Sequence, residues 1–221
     1  MIQTTIRRAG PEDATALAEV GRHTFVETFA HLYPPEDLAS FLAEAYAPEA
    51  FARYLGPPEH ALGLAEQDGR ALGYVQAGPC ALPHLEVTPR CGEVKRLYVR
   101  EETQGSGLGT RLLAAALEWL GAPGRRLWIG VWSQNLGAQR LYARHGFERV
   151  GAYQFPVGNT LDDEFILSRT CARRSSSTFP TSGPRPWPKR PCAASRSPGP
   201  TPSSASGRPC RAPNGARSTG R

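Results

Sequence analysis

Apolar and polar positions follow two periods in turn up to Arg169 and neither period after it. Ile2, Thr4 and Ile6 recur at period two and predict a strand over residues 2–8. Pro11-Glu12-Asp13 opens a helix, with acidic residues in the first turn facing its positive end. Ala16, Leu17, Val20, Thr24, Phe25 and Phe29 continue it as an apolar stripe at helical spacing. Pro34-Pro35-Glu36-Asp37 stops that helix and starts a second through Leu38, Phe41, Leu42 and Ala45. Two strands, over 61–67 and 70–77, flank Asp68-Gly69, a hairpin signal. Residues 78–92 read as a loop, and 93–99 alternates as a strand. Leu108, Leu112, Leu113, Ala116, Leu117 and Leu120 mark a helix that Gly121 and Pro123 stop. A buried strand over 127–132, a helix over 136–144 ended by Gly146, and a hairpin of 147–155 with 164–167 complete the pattern. Strands alternating with single helices predict an α/β fold, a mixed sheet with helices on both faces.

Charge divides the chain at the same place. Residues 170–221 carry 10 of the 26 Lys and Arg and none of the 20 Asp and Glu, so the net charge of +6 belongs to them. Residues 1–169 carry a net charge of −4, which argues against a nucleic-acid-binding role for the folded part. With 10 Pro, 10 Ser and 5 Gly in 52 residues, the last segment is too poor in apolar surface to offset ordering and is expected to be disordered. It reads as a solvated extension, or even the product of a shifted reading frame, rather than a basic arm for nucleic acid or anionic lipid. The domain expected to fold is therefore 1–169, with 170–221 as a tail. There is no apolar run of membrane-spanning length and no signal-peptide pattern at the start. Five scattered cysteines make no disulfide framework, so a cytoplasmic location is expected. Cys80, His84 and Cys91 match no common zinc spacing, and no metal is expected.

Candidate chemistry concentrates where the strand ending at Val99 runs into Gln104-Gly105-Ser106-Gly107-Leu108-Gly109-Thr110 and then into a helix. Glycines let the backbone approach a bulky anion, and the first-turn N–H groups point at it. A diphosphate suits such a cradle; a merely tight turn is the plain alternative. A Walker loop would need Lys after Gly109, where Thr110 stands. A dinucleotide fingerprint would need Gly or Ala at 110 and an acidic residue near the end of the next strand, which reads Leu127-Trp128-Ile129-Gly130-Val131-Trp132-Ser133. Both fit poorly.

A third pattern, Gln/Arg-x-x-Gly-x-Gly/Ala, is met in full by Gln104, Gly107 and Gly109. It resembles motif A of the GNAT superfamily of acetyl-CoA-dependent N-acetyltransferases. One strand and one helix later, Asn135, Ala138, Tyr142, Gly146 and Phe147 stand in the family's Asn-x-x-Ala-x-x-x-Tyr-x-x-x-Gly-Phe segment. The resemblance spans residues 2–169. It implies a mostly antiparallel sheet that splays between two central parallel strands, with acetyl-CoA as co-substrate bound in the gap. Backbone groups of Leu97, Tyr98 and Val99 would hold the pantetheine, and the Val99 N–H would polarise the thioester carbonyl. Gln104, Gly105, Ser106, Gly107, Leu108, Gly109 and Thr110 would hold the pyrophosphate, with Asn135 and Ala138 beside the cofactor arm. Tyr142 would be the general acid for the departing thiolate, its alternative being a core tyrosine beside Leu141 and Phe147. Glu93 would be the general base, its alternative an exposed strand-end carboxylate.

Within the superfamily, residues 24–46, Gly130-Val131-Trp132 and Phe155-Pro156-Val157-Gly158-Asn159 with Asp162 and Asp163 resemble the bacterial spermine/spermidine acetyltransferases. That likeness implies a small-molecule amine acceptor, a polyamine, with an acidic mouth from the first two helices (Glu27, Glu36, Asp37, Glu44) and acceptor contacts from Glu27, Tyr33 and Trp132. Acetylation of protein N-termini or lysines, or a non-catalytic acyl-CoA-binding module, are the other readings. A monomer or a homodimer is expected.

Overall fold

A computed structural model describes residues 4–171 of the 221-residue chain. The boundary proposed at residue 169 falls within a strand that runs on to Thr170, and the expected disorder of the tail lies, save for Thr170 and Cys171, outside the described residues. Among these described residues seven strands form one sheet: β1 (Thr5–Arg8), β2 (Ala61–Gln67), β3 (Arg70–Pro79), β4 (Gly92–Val99), β5 (Arg126–Trp132), β6 (Glu148–Val157) and β7 (Thr160–Thr170). Their order is β1-β2-β3-β4-β5-β7-β6, and β4–β5 is the one parallel pair; the other neighbours run antiparallel. The α/β class and the mostly antiparallel sheet with two parallel strands at its centre match the expectation.

Among the described residues, five α-helices cover the two faces: α1 (Ala14–Phe29), α2 (Pro35–Ala45), α3 (Pro48–Leu55), α4 (Leu108–Leu120) and α5 (Leu136–Arg144). On one face, Leu112, Leu113, Ala116 and Leu120 of α4 pack on Val75, Val94, Leu127, Ile129 and Leu167. Truncating one of those leucines to Ala should cost about 2–5 kcal/mol. On the other face, Leu17, Val20, Phe25 and Phe29 of α1 and Phe51 of α3 pack on Leu62, Leu64 and Tyr74.

The short helix α3 stands where the periodicity predicts no element. Its eight residues bury only Ala50 and Phe51, too few anchors to register as a stripe. The turn Pro11–Asp13 is 3-10 rather than α-helical, and Asp13 reaches back to accept the Gly10 N–H at 2.8 Å.

One irregularity decides which side chains share a face. Register between β3 and β4 shifts from Gln76↔Arg96 to Ala77↔Val94, so Lys95 is an extra, bulged residue. Plain alternation would group Glu93 with Lys95, Leu97 and Val99. The bulge moves Glu93 instead onto the face of Arg96 and Tyr98, towards α1, while Val94, Leu97 and Val99 face α4.

Candidate active site

Strands β4 and β5 pair only through Gly92↔Leu127, Glu93↔Trp128 and Val94↔Ile129. Beyond Val94 and Ile129 they part, β4 running on to Val99 and β5 to Trp132. The Arg100 N–H donates to Leu72 O at 2.8 Å, which fixes the direction of alternate amides along β4. Tyr98 and Arg100 therefore direct their backbone groups at β3, and Leu97 and Val99 direct theirs into the gap. A cavity of about 700 Å³ passes through the sheet there, lined from both faces. That volume is of small-molecule size.

At the end of the gap towards α4, Gly105 and Gly107 adopt left-handed φ angles of 77° and 83°. Gly107 is the N-cap of α4 and offers no side chain, so the first-turn amides have no capping carboxylate or hydroxyl from that position. The nearest substitute is Ser106 Oγ, which accepts the Leu108 N–H at 3.4 Å while its own hydroxyl donates to Thr103 O at 2.6 Å. Gln104, Gly105, Gly107, Gly109 and Thr110 line the cavity. Ser106 and Leu108 do not: Ser106 is exposed, and the Leu108 side chain is buried in the core.

Asn135 caps α5, its Oδ1 accepting the Ala138 N–H at 3.0 Å, and both residues line the cavity. One turn further along α5, Tyr142 is buried against Phe147 with ring centroids 6.3 Å apart. Its hydroxyl has no hydrogen-bond partner among the described residues, and the side chain lines the cavity. Burial chiefly, and then the Glu164 carboxylate, raise the Tyr142 pKa well above that of free tyrosine. Such a phenol keeps its proton at neutral pH. Tyr142 is thus a core residue whose hydroxyl opens onto the cavity.

On the α1 side the cavity is walled by aromatic rings and floored by acids. Phe29 meets Trp132 edge-on with centroids 5.6 Å apart, and Phe41 meets Phe155 at 6.2 Å. Glu93, Asp162 and Glu164 all line the cavity. Glu93 Oε2 accepts the Ala81 N–H at 2.8 Å and is paired with Lys95 Nζ at 2.8 Å. The Tyr33 hydroxyl donates to Asp162, and the Tyr153 hydroxyl donates to Glu164. Among the described residues no cation stands within ion-pair distance of Asp162 or Glu164. Burial raises the Glu164 pKa against the hydrogen bond from Tyr153, and Asp162 and Glu93 raise it further. Burial likewise pushes Tyr98, on the same face, up to about 12.

The structure brings Glu93, Leu97, Tyr98, Val99, Tyr33, Trp132, Asn135, Ala138 and Tyr142 to one cavity, although they come from β4, β5, α5 with its N-cap, and the turn before α2. It does not bring Glu27 there. The Glu27 carboxylate accepts the Glu101 N–H at 3.2 Å and pairs with His23 at 3.0 Å outside the cavity lining. Asp37 is taken up by Asn159 Nδ2 at 2.9 Å, and Glu36 and Glu44 are exposed on α2 away from the lining. The acidic floor comes instead from β4 and β7. Glu164 and Tyr153 carry no signal of their own in the sequence; the only hint is an acid, Glu164, at period two with buried Ile166 and Ser168. Of the loop residues, His84 lies tilted against Trp128 with ring centroids 4.9 Å apart, and Cys91 Sγ lies 3.5 Å from Thr88 Oγ1.

Residues 23–147 match the family model described as Acetyltransferase (GNAT) family. An uncharacterised N-acetyltransferase of Mycobacterium tuberculosis is 33% identical over 161 residues, 71% of this chain and 97% of that protein. Spermine/spermidine N(1)-acetyltransferase of Bacillus subtilis is 29% identical over 92 residues, covering 40% of this chain and 59% of its own. Among solved structures, the PaiA N-acetyltransferase of Thermoplasma acidophilum in complex with coenzyme A shares the fold. Its TM-score is 0.61 at 22% identity, over 76% of this chain and 99% of that one.

Proposed function

The chain belongs to the acetyltransferase (GNAT) family, and from that premise we propose that it transfers acetyl from acetyl-CoA to a primary amine of a small polycation, a polyamine. The observation that carries the acceptor class is the pair of carboxylates, Asp162 and Glu164, held without a cation inside an aromatic-walled cavity. An unbalanced buried acid favours a cationic guest, and the rings can hold its methylenes and its charge.

Acetyl-CoA supplies an activated carbonyl and a thiolate leaving group. Leu97 and Val99 offer their free backbone groups to the pantetheine as an added strand would. The Val99 N–H opposes negative charge on the thioester oxygen as it develops. The turn from Gln104 to Thr110 holds the pyrophosphate, its glycines admitting close approach and the start of α4 supplying amides and a favourable dipole. Asn135 and Ala138 border the cofactor arm. Tyr142 protonates the thiolate, and Tyr33 and Trp132 wall the acceptor side.

The test is a panel of amines assayed by CoA release, together with calorimetric titration of acetyl-CoA. Spermidine and spermine should be acetylated faster than a lysine peptide or an α-amino peptide. Robust transfer to the peptides with none to spermidine would remove the polyamine acceptor and leave a protein acetyltransferase.

A further inference from the structure

Two carboxylates flank the point where β4 and β5 part, and they are held differently. Glu93 is anchored on both sides, by the Ala81 N–H and by the Lys95 ammonium, each at 2.8 Å. Lys95 is the bulged residue, so the irregularity that turns Glu93 into the cavity also sets a counter-cation beside it. Protonating Glu93 would sacrifice that ion pair and loosen the 80–91 loop. Such a carboxylate is already engaged as an anchor, with Oε2 committed to two donors.

Glu164 lies opposite Trp132 on β7, and its Oε2 accepts the Tyr153 hydroxyl. It reaches over Gly130, the first residue of β5 beyond the last pair with β4. A Cβ at Gly130 would stand 2.9 Å from Glu164 Oε2 and 2.8 Å from the Tyr153 oxygen, so a glycine there lets the carboxylate rest against the strand at the mouth of the gap. The groups facing it are Tyr153 from β6, Asp162 from its own strand, Glu93 and Tyr98 from β4, Tyr142 from α5 and Tyr33. None of them is a cation. A carboxylate raised in this way is better matched to proton uptake near neutral pH.

Resting on the acetyltransferase reading of the same cavity, we propose that Glu164, rather than Glu93, takes the proton of the acceptor ammonium, with Tyr153 as the residue that positions it. The ammonium loses one proton to Glu164, and its nitrogen lone pair forms the C–N bond to the acetyl carbonyl as the C–S bond breaks. Tyr142 gives its proton to the leaving sulfur and regains one from the nitrogen as the amide forms. Glu164 then releases its proton to water. The acceptor has lost two protons, one ending on CoA thiol and one in solution.

The experiment uses the full chain with Glu164→Gln, Glu93→Gln and Tyr153→Phe. E164Q should lower kcat about 10²-fold at pH 7, and the deficit should shrink towards about pH 10, where solution delivers the free amine. E93Q should keep kcat within about 3-fold while its melting temperature falls. The calorimetric Kd of acetyl-CoA should be unchanged in all three. An independent readout is ¹³C NMR of chain labelled at the glutamate carboxyl. The resonance missing in E164Q should titrate above the usual glutamate range, and higher still in Tyr153→Phe, because the phenol's hydrogen bond favours the charged form. Should E164Q fold poorly, Gly130→Ala displaces the same carboxylate and should show the same kcat loss. Glu164 titrating as an ordinary glutamate, or E93Q losing the activity that E164Q keeps, overturns the assignment with acetyl-CoA still bound. No heat with acetyl-CoA in the unaltered chain is a different failure: it removes the acetyltransferase reading of the cavity and the assignment with it.

Discussion

Gly107→Ala separates the anion cradle from the rest of the site. Gly107 has φ 83° and ψ 0°, and a Cβ built on it meets no atom within 4 Å. The cost of the substitution is therefore conformational rather than steric, about 1–2 kcal/mol for an L-residue held in the left-handed region. In a domain of this size that lowers Tm by about 2–8 °C if the turn keeps its shape. The alternative is for the turn to relax to negative φ, which swings the first amides of α4 away from the cavity. Each charge-assisted hydrogen bond so lost is worth about 1.5–3 kcal/mol, or roughly ten- to a hundredfold in affinity for CoA. Differential scanning fluorimetry and calorimetric titration with CoA read the two terms separately. Gly109→Ala is the control, since Gly109 has no positive φ and its added methyl would sit 4.0 Å from Leu141 Cδ2. It should raise Tm, by up to about 1 kcal/mol of helix propensity. If G107A leaves both Tm and CoA affinity where they were, the left-handed turn is not what shapes this site.

Tyr142→Phe should cut kcat about 10²-fold with acetyl-CoA affinity retained in calorimetry, and unchanged turnover would return Tyr142 to a packing role only. Gly130→Ala should leave Tm within a few degrees, because the atoms its methyl meets are side-chain ends that can swing, yet turnover should fall when measured by CoA release. Asp13 accepts two 2.7 Å hydrogen bonds from Arg7, which hold its carboxyl below the usual range, so that contribution is present above about pH 4 and lost as pH drops through the lowered pKa. Asp13→Asn should cost about 2 kcal/mol in urea melts at pH 7 and much less at about pH 2; an equal cost at both would show the ion pair is idle. Cys171 donates to Arg125 O at 2.8 Å and accepts from the Gly124 N–H at 3.2 Å, so a chain stopped after Arg169 should melt several degrees below one stopped after Cys171.

What the sequence determined by itself was everything with a short range. The bounds of β2 and α5 follow from periodicity and capping, and the Gln104–Thr110 turn follows from glycines that alone tolerate its left-handed residues. Motif residues such as Asn135 and Tyr142 were legible because a helix spaces them by rule. The short α3 was not, since two buried residues make no period. Nor was the face of Glu93, because the bulge at Lys95 is a fact about how β3 and β4 pair. The acidic residues of α1 and α2 read as the acceptor's surroundings, yet Glu27 and Asp37 are consumed by partners that only folding supplies. Glu164 and Tyr153 enter the site through the placing of β7 beside β5, and their proximity to Gly130 and Glu93 is a contact between distant parts of the chain. Local propensities fix conformation over a few residues; which charges are left without partners is settled only when the sheet closes, because desolvation and pairing depend on what each side chain finally faces.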